Sequence, residues 1–183
     1  MFFNKTDAEN DKMRDFPVAD AARASSAAPT YFPPHKMRRY DGTYGLLCDG
    51  GVFANNATMC AIAQAAKMQG CEEAMQVLSI GNVADTETPY KGISHGWGII
   101  KWGGPIIDIL LSASPQIVDY QVKKLFSSCK QRGNYLRIEA NEEKSIKMDD
   151  VSEAAMKRLN EIGKETAKHS RKSLERFAER LIM

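Results

Sequence analysis

The sequence predicts an α/β fold, and three observations carry that expectation. Short apolar, β-prone runs alternate with helix-period stretches along the chain. The 183 residues have the length of one ordinary domain, and 43% of them are hydrophobic, enough to bury a core. The run Tyr44–Cys48 reads as a strand that ends on Asp49-Gly50-Gly51 and passes into Val52–Asn56, a helix entry. The visible strands are few for a sheet with helices on both faces. This favours a further strand-bearing segment outside the sequence.

In chain order, residues 1–16 are polar after Met1-Phe2-Phe3 and are expected as a loop or tail. Met1-Phe2-Phe3 suits the end of a strand that starts earlier. Pro17 to Ala28 is expected as a short helix, because Pro suits a first turn and the run is rich in alanine. Pro29, Pro33 and Pro34 stop it. Lys36 to Cys48 is expected as a hairpin turning at Asp41-Gly42. Asn55 or Asn56 caps a helix to about Met68, which Gly70 ends. Gln76–Ile80 is a strand and Asn82–Gly96 a loop. Trp97–Ser112 contains Gly103, Gly104 and Pro105 and is expected as two helical pieces; Gln116–Ser128 is another helix. Tyr135–Ile138 is the last strand. Asp149 or Asp150 caps a long final helix, with Met156, Leu159, Ile162, Leu174, Phe177 and Leu181 at helical spacing.

Charge and cysteine content narrow the function classes. A net charge of +2 gives no bulk attraction to nucleic acid. No apolar run reaches the roughly 20 residues that span a bilayer, and Met1–Lys5 has no signal-peptide pattern. Cys48, Cys60, Cys71 and Cys129 form no Cys-x-x-Cys pair, and the histidines stand far from them in sequence, so no metal and no cofactor is expected. Cys48 and Cys60 lie among apolar residues and are expected as free buried thiols. Free thiols point to a reducing, cytoplasmic location.

Asp49-Gly50-Gly51 has the most chemical meaning. A carboxylate at a strand end, beside two glycines, is held in place while other backbone comes close, which suits acid–base work. The plain alternative is an ordinary turn, where Asp and Gly are common.

The run Ala22-Arg23-Ala24-Ser25-Ser26-Ala27-Ala28-Pro29-Thr30-Tyr31-Phe32-Pro33-Pro34, followed within twenty residues by Asp49-Gly50-Gly51-Val52-Phe53-Ala54-Asn55-Asn56, resembles the second half of the patatin-like phospholipase domain, a family of lipid acyl hydrolases. Val77–Gly81 and Trp97–Trp102 are similar too, and the resemblance extends over about residues 1 to 140. It implies a partial three-layer α/β/α patatin-like fold. Residues 1–183 would be the C-terminal portion of a single such domain, with a long helix at about 150–182. It also implies hydrolysis of phospholipid or related acyl esters by a Ser–Asp dyad. Asp49 takes the position of the dyad base, and Gly50 and Gly51 form its supporting motif. The family's oxyanion loop and G-x-S-x-G elbow are expected N-terminal to this sequence.

One G-x-S-x-G string occurs here, Gly92-Ile93-Ser94-His95-Gly96. The elbow needs a strand before it and a helix after it. Residues 84–91 are polar and contain Pro89, and Ser94 follows the aspartate, whereas the family places serine first. Ser94 is therefore the weaker alternative nucleophile, and a loop is the plainer reading. Ser25 and Ser26 are read as allowing close packing of helix and loop. Trp97 and Trp102, with Ile99, Ile100, Ile106, Ile107, Leu110 and Leu111, are read as core, with contact to an acyl chain or membrane surface as the alternative. Two functions follow. One is the aspartate-bearing part of a lipid acyl hydrolase, inactive alone. The other is a non-catalytic remnant that oligomerises to cover an exposed sheet edge or docks on a partner.

Overall fold

The computed structural model describes residues 5–70, 74–85, 98–128, 133–142, 146 and 149–182. It is of mixed α/β class and separates into two compact units, Met1–Asn55 and Asn56–Met183.

In the first unit, helix α1 (Lys5–Asn10) and a 3-10 turn (Lys12–Arg14) replace the expected loop. Their support is polar and local, so apolar periodicity gave no sign of it. Arg14 Nη1 donates to Asp7 Oδ2 at 2.7 Å, Lys5 pairs with Glu9, and Asp11 Oδ1 accepts the Met13 N–H at 2.9 Å. Met1-Phe2-Phe3 lies outside the described residues. Helix α2 (Val18–Ser25) starts on Pro17, as expected, and stops where the Ser26 N–H and hydroxyl both turn back to the Ala22 carbonyl.

Strands β1 (His35–Arg38) and β2 (Tyr44–Leu47) form the expected antiparallel hairpin, with His35 opposite Leu47 and Arg38 opposite Tyr44. Its turn is closed by Arg39 N–H to Thr43 O and Gly42 N–H to Arg39 O. Gly42 sits at φ +83°, where a side chain is strained. Asp41 accepts both the hydroxyl and the N–H of Thr43, which hold its carboxyl below the usual carboxylate range. Met37 is almost fully buried, and a 2.9 Å contact between His35 Nε2 and Asp20 Oδ1 ties β1 to α2. Helix α3 (Gly51–Ala54) ends this unit.

The second unit contains α4 (Thr58–Gln69), β3 (Met75–Asp85), α5 (Ile99–Ser128), β4 (Gly133–Glu142) and α6 (Glu153–Glu179). Gly70 closes α4 at φ +92°, as the sequence implied. β3 and β4 pair in parallel, with Val77 opposite Tyr135 and Leu78 opposite Leu136, and a register irregularity between Ile80 and Val83. Both strands outrun their expected limits, so Asn82–Asp85 is strand rather than loop. The backbone ladder carries pairing past the point where the apolar pattern stops.

The two pieces expected in 97–112 and the separate helix at 116–128 are one continuous helix, α5, with Pro105 and Pro115 inside it. Each interior proline costs about 3 kcal/mol or more. Burial around Val122, which is fully enclosed, works in the opposite direction. The final helix is capped by Ser152, whose hydroxyl accepts the Ala155 N–H, and not by Asp149 or Asp150; Asp150 instead accepts the Ser152 N–H. Its inner stripe runs through Ala155, Leu159, Ile162, Leu174 and Phe177. Met156 and Leu181 fall off that stripe and are exposed, contrary to expectation.

A buried polar relay joins three elements of this unit. Asn56 is 4% exposed and Ser79 5%. The Thr58 hydroxyl donates to Asn56 Oδ1 at 2.5 Å, so its oxygen must accept from the Ser79 hydroxyl 2.6 Å away. Ser79 in turn accepts from Arg137 Nη1 at 2.8 Å, and Arg137 Nη2 donates to Glu139 at 2.5 Å. From Arg137 Nη1 through Ser79 and Thr58 to Asn56 the donors therefore all point the same way. The Asn56 amide nitrogen then donates to the Pro115 carbonyl at 3.3 Å. Arg137 Nε has no partner among the described residues. Gly81 admits this arginine: a Cβ there would collide with Arg137 Nη2 and lie 2.6 Å from Glu139 Oε1.

Gly81→Ala is expected to dislodge Arg137 from Ser79 or Glu139 and to lower stability by about 1–3 kcal/mol, read from the urea midpoint; an unchanged midpoint would show that the relay carries no stability. Tyr135 offers a second check. Burial, then its hydrogen bond to Asp119, pushes its hydroxyl up to about 12 from an ordinary 10. The folded state thus favours the neutral phenol, and that contribution is complete below pH 10 and lost as pH rises toward 12. The thermal midpoint of Tyr135→Phe should fall less steeply across that window than that of the parent, and equal slopes would contradict the assignment.

Candidate active site

The Asp49 loop is built by the first unit. β2 delivers the chain to Cys48, and the Asp49 N–H donates to the Ala27 carbonyl at 2.9 Å. This bond joins the loop to the residues after α2. It needs close approach, which the small side chains of Ala24 and Ala27 permit; they are 2% and 4% exposed. The alanines, not Ser25 and Ser26, allow that packing. Both serines are exposed, and Ser26 spends its hydroxyl on the Ala22 carbonyl.

The half-buried Asp49 side chain is oriented by one strong local contact: its Oδ1 accepts the Gly51 N–H at 2.8 Å, an Asx turn. Among the described residues Oδ2 has no hydrogen-bond partner. The Gly50 carbonyl accepts the N–H groups of Phe53 and Ala54, so α3 starts directly on the motif. The carboxylate is thus fixed through one oxygen.

The glycines do different work from each other. Gly51 supplies the orienting N–H. Gly50 has an ordinary right-handed backbone, φ −68° and ψ −12°. A Cβ there would meet only Phe53 Cε1 at 3.9 Å, an ordinary contact. Neither conformation nor crowding among the described residues demands glycine at 50.

Thr30 is a feature the sequence did not reveal. It adopts φ +74° after Pro29, in a turn closed by Tyr31 N–H to Ala28 O at 3.2 Å. A β-branched residue is strained there, where Gly or Asn normally sits. The strained turn lies three residues past the Ala27 carbonyl that holds the Asp49 backbone.

Ser94, its neighbour His95, and Trp97 lie outside the described residues. Asn56 belongs to the second unit and accepts the Thr58 N–H at 3.1 Å, but it stands one residue before the N-cap of α4, which is Ala57 and makes no side-chain cap bond, so neither Asn55 nor Asn56 is the expected cap. Trp102, Ile106 and Leu110 are exposed on α5 at four-residue spacing, which corrects their reading as core. Cys60 is a half-buried free thiol, while Cys48 is free but exposed, because it continues the outward side of β2 with Tyr44 and Leu46.

These features define a class: an α/β protein whose strand-end carboxylate is held by an Asx turn and locked to an alanine-rich helix end. Residues 2–62, which include both sequence blocks of that lock, match the family model described as Patatin-like phospholipase. The chain is 32% identical to Patatin-like protein 2 of Oryza sativa subsp. indica over 88% of its length, covering 46% of that protein. It is 31% identical to Patatin-like protein 3 of Arabidopsis thaliana, over 89% of the chain and 44% of the relative. Probable inactive patatin-3-Kuras 1 of Solanum tuberosum is 27% identical over 93% of the chain and 51% of that protein. The chain belongs to the patatin-like family, and it spans about half the length of the curated relatives it matches.

Asp49→Asn keeps an oxygen for the Gly51 N–H, so its stability is expected within about 0.5 kcal/mol of the parent, whereas Asp49→Ala should cost roughly 1 kcal/mol. Chemical denaturation of both variants checks this, and equal losses would remove the Asx turn as the holding contact. Thr30→Gly should relieve strain and raise stability by about 1 kcal/mol; a loss would show that the threonine is held by more than its turn.

Proposed function

We propose that this chain is the aspartate-bearing portion of a patatin-like lipid acyl hydrolase, with Asp49 as the base of a Ser–Asp dyad. The observation that carries this reading is the Asp49 carboxylate itself, anchored through Oδ1 by Gly51 and unpartnered at Oδ2 among the described residues. A serine hydroxyl donating to Oδ2 would complete the pair. The carboxylate would then promote loss of the serine proton as the oxygen attacks the acyl carbonyl of a phospholipid or related ester. Water would release the fatty acid in a second step. Gly50 supports the reading, since no local contact explains the missing side chain. An approaching segment or substrate does explain it.

The same reading makes residues 1–183 the C-terminal portion of one patatin-like domain and leaves them inactive as they stand. The described strand ends offer no elbow serine, and the span of about half of each relative fits a catalytic pair divided between this chain and another segment. The 183-residue chain is therefore expected to show no hydrolysis of a short-chain p-nitrophenyl ester above buffer. Turnover abolished by Asp49→Asn would overturn the inactivity, and its further loss in Ser94→Ala would make Ser94 the nucleophile.

A second, non-catalytic reading has its own observation. Leu78 is 41% and Ile80 72% exposed on the same side of β3. A strand face of this kind favours self-association. Light scattering after gel filtration should then report a dimer or larger species, and a well-behaved monomer would remove this reading.

A further inference from the structure

We propose that the outward face of the β1–β2 hairpin docks on the surface of an anionic phospholipid bilayer. Period-two alternation turns Met37 inward, where it is 1% exposed. The same alternation turns Lys36, Arg38, Tyr44 and Leu46 outward together, since Lys36 pairs with Leu46 and Arg38 with Tyr44. An outward face of an antiparallel pair is ordinarily polar. Here Leu46 is 71% and Tyr44 56% exposed, and Tyr40 at the turn is 69% exposed.

The cations are arranged with the rings. Lys36 Nζ lies 4.2 Å from the centroid of Tyr44, and Lys12 Nζ lies 5.2 Å from that of Tyr40. Ion pairs among the described residues of this unit use Lys5 and Arg14 instead, so Lys36 and Arg38 carry uncompensated charge at the face. Asp41, held ionised by Thr43, subtracts one charge at the turn.

This composition selects its occupant. Tyrosine rings sit at headgroup depth, the exposed Leu46 next along β2 from Tyr44 enters the acyl boundary, and the cations meet lipid phosphates. A second copy of the chain fits poorly, because a two-fold contact through this face would set its cations against each other. A nucleic acid fits poorly too: the chain's net charge is only +2, and the exposed Leu46 offers it nothing to bind. The inference rests on the acyl-lipid reading only in choosing phospholipid as the surface.

The test is co-sedimentation of the full chain with phosphatidylcholine vesicles, with and without phosphatidylserine at roughly a quarter of the lipid. Binding should require phosphatidylserine, and the double variant K36Q/R38Q should weaken it on the order of tenfold or more. K172Q/R176Q, on the exposed side of α6, should bind as the parent does. Asp49→Asn should also bind normally, so failure of docking and failure of the catalytic reading are read separately. Absence of vesicle binding, equal binding to pure phosphatidylcholine, or equal weakening by K172Q/R176Q would overturn the proposal. So would tight binding of single-stranded RNA lost in K36Q/R38Q, which would mark a general polyanion surface. Leu46→Ser, an exposed change that leaves the charges intact, should weaken binding several-fold, with circular dichroism confirming the fold of each variant.

Discussion

The Asp49 N–H reaches the Ala27 carbonyl across 2.9 Å, and most of what distinguishes the first unit is arranged to permit that bond. It requires two backbones to meet, so the side chains at the meeting point must be small, and Ala24 and Ala27 are both buried there. It requires the chain to leave α2 sharply, and the Ser26 contacts to Ala22 and the strained Thr30 turn bring that about. It requires β2 to end in register, and the hairpin turn at Asp41–Thr43 sets that register. Asp49 is held through its backbone from one side and through its Oδ1 from the other, the preorganisation that the proposed acid–base role needs.

The second unit solves a different problem by a related device. Its parallel strands depend on side-chain hydrogen bonds to seat α4, and the relay from Arg137 through Ser79 and Thr58 to Asn56 admits only one direction of donation. A buried network of this kind costs stability wherever a member is left unsatisfied. That explains why Gly81 leaves room for the guanidinium, because an added Cβ would displace it.

The helices, hairpin and parallel strands could be read from the sequence wherever apolar periodicity or Gly and Pro punctuation set them. α2, the hairpin and α4 came out close to expectation for that reason. Helix α1 did not, because its support comes from Asp7, Asp11 and Arg14 and leaves no apolar pattern. The continuity of α5 was hidden because Pro105 and Pro115 are local break signals, and what outweighs them is tertiary burial around Val122. The cap at Ser152 was missed in favour of two nearby aspartates of the same capping class. For the site, the Asp49 motif and its pairing with residues 22–34 were legible. The bond that joins them, the role of the alanines over the serines, and the Thr30 strain were not, since each is a property of backbone approach.

The account turns on whether Asp49 does proton work for a serine supplied by another segment. The direct measurement is ester hydrolysis by this chain mixed with a polypeptide carrying the serine-elbow half of a patatin-like relative. The account predicts that activity appears only in the mixture. With Asp49→Asn it should fall by at least about a hundredfold, within the range expected for loss of a general base, while the two polypeptides still co-elute. Activity undiminished by Asp49→Asn in an intact complex would contradict it.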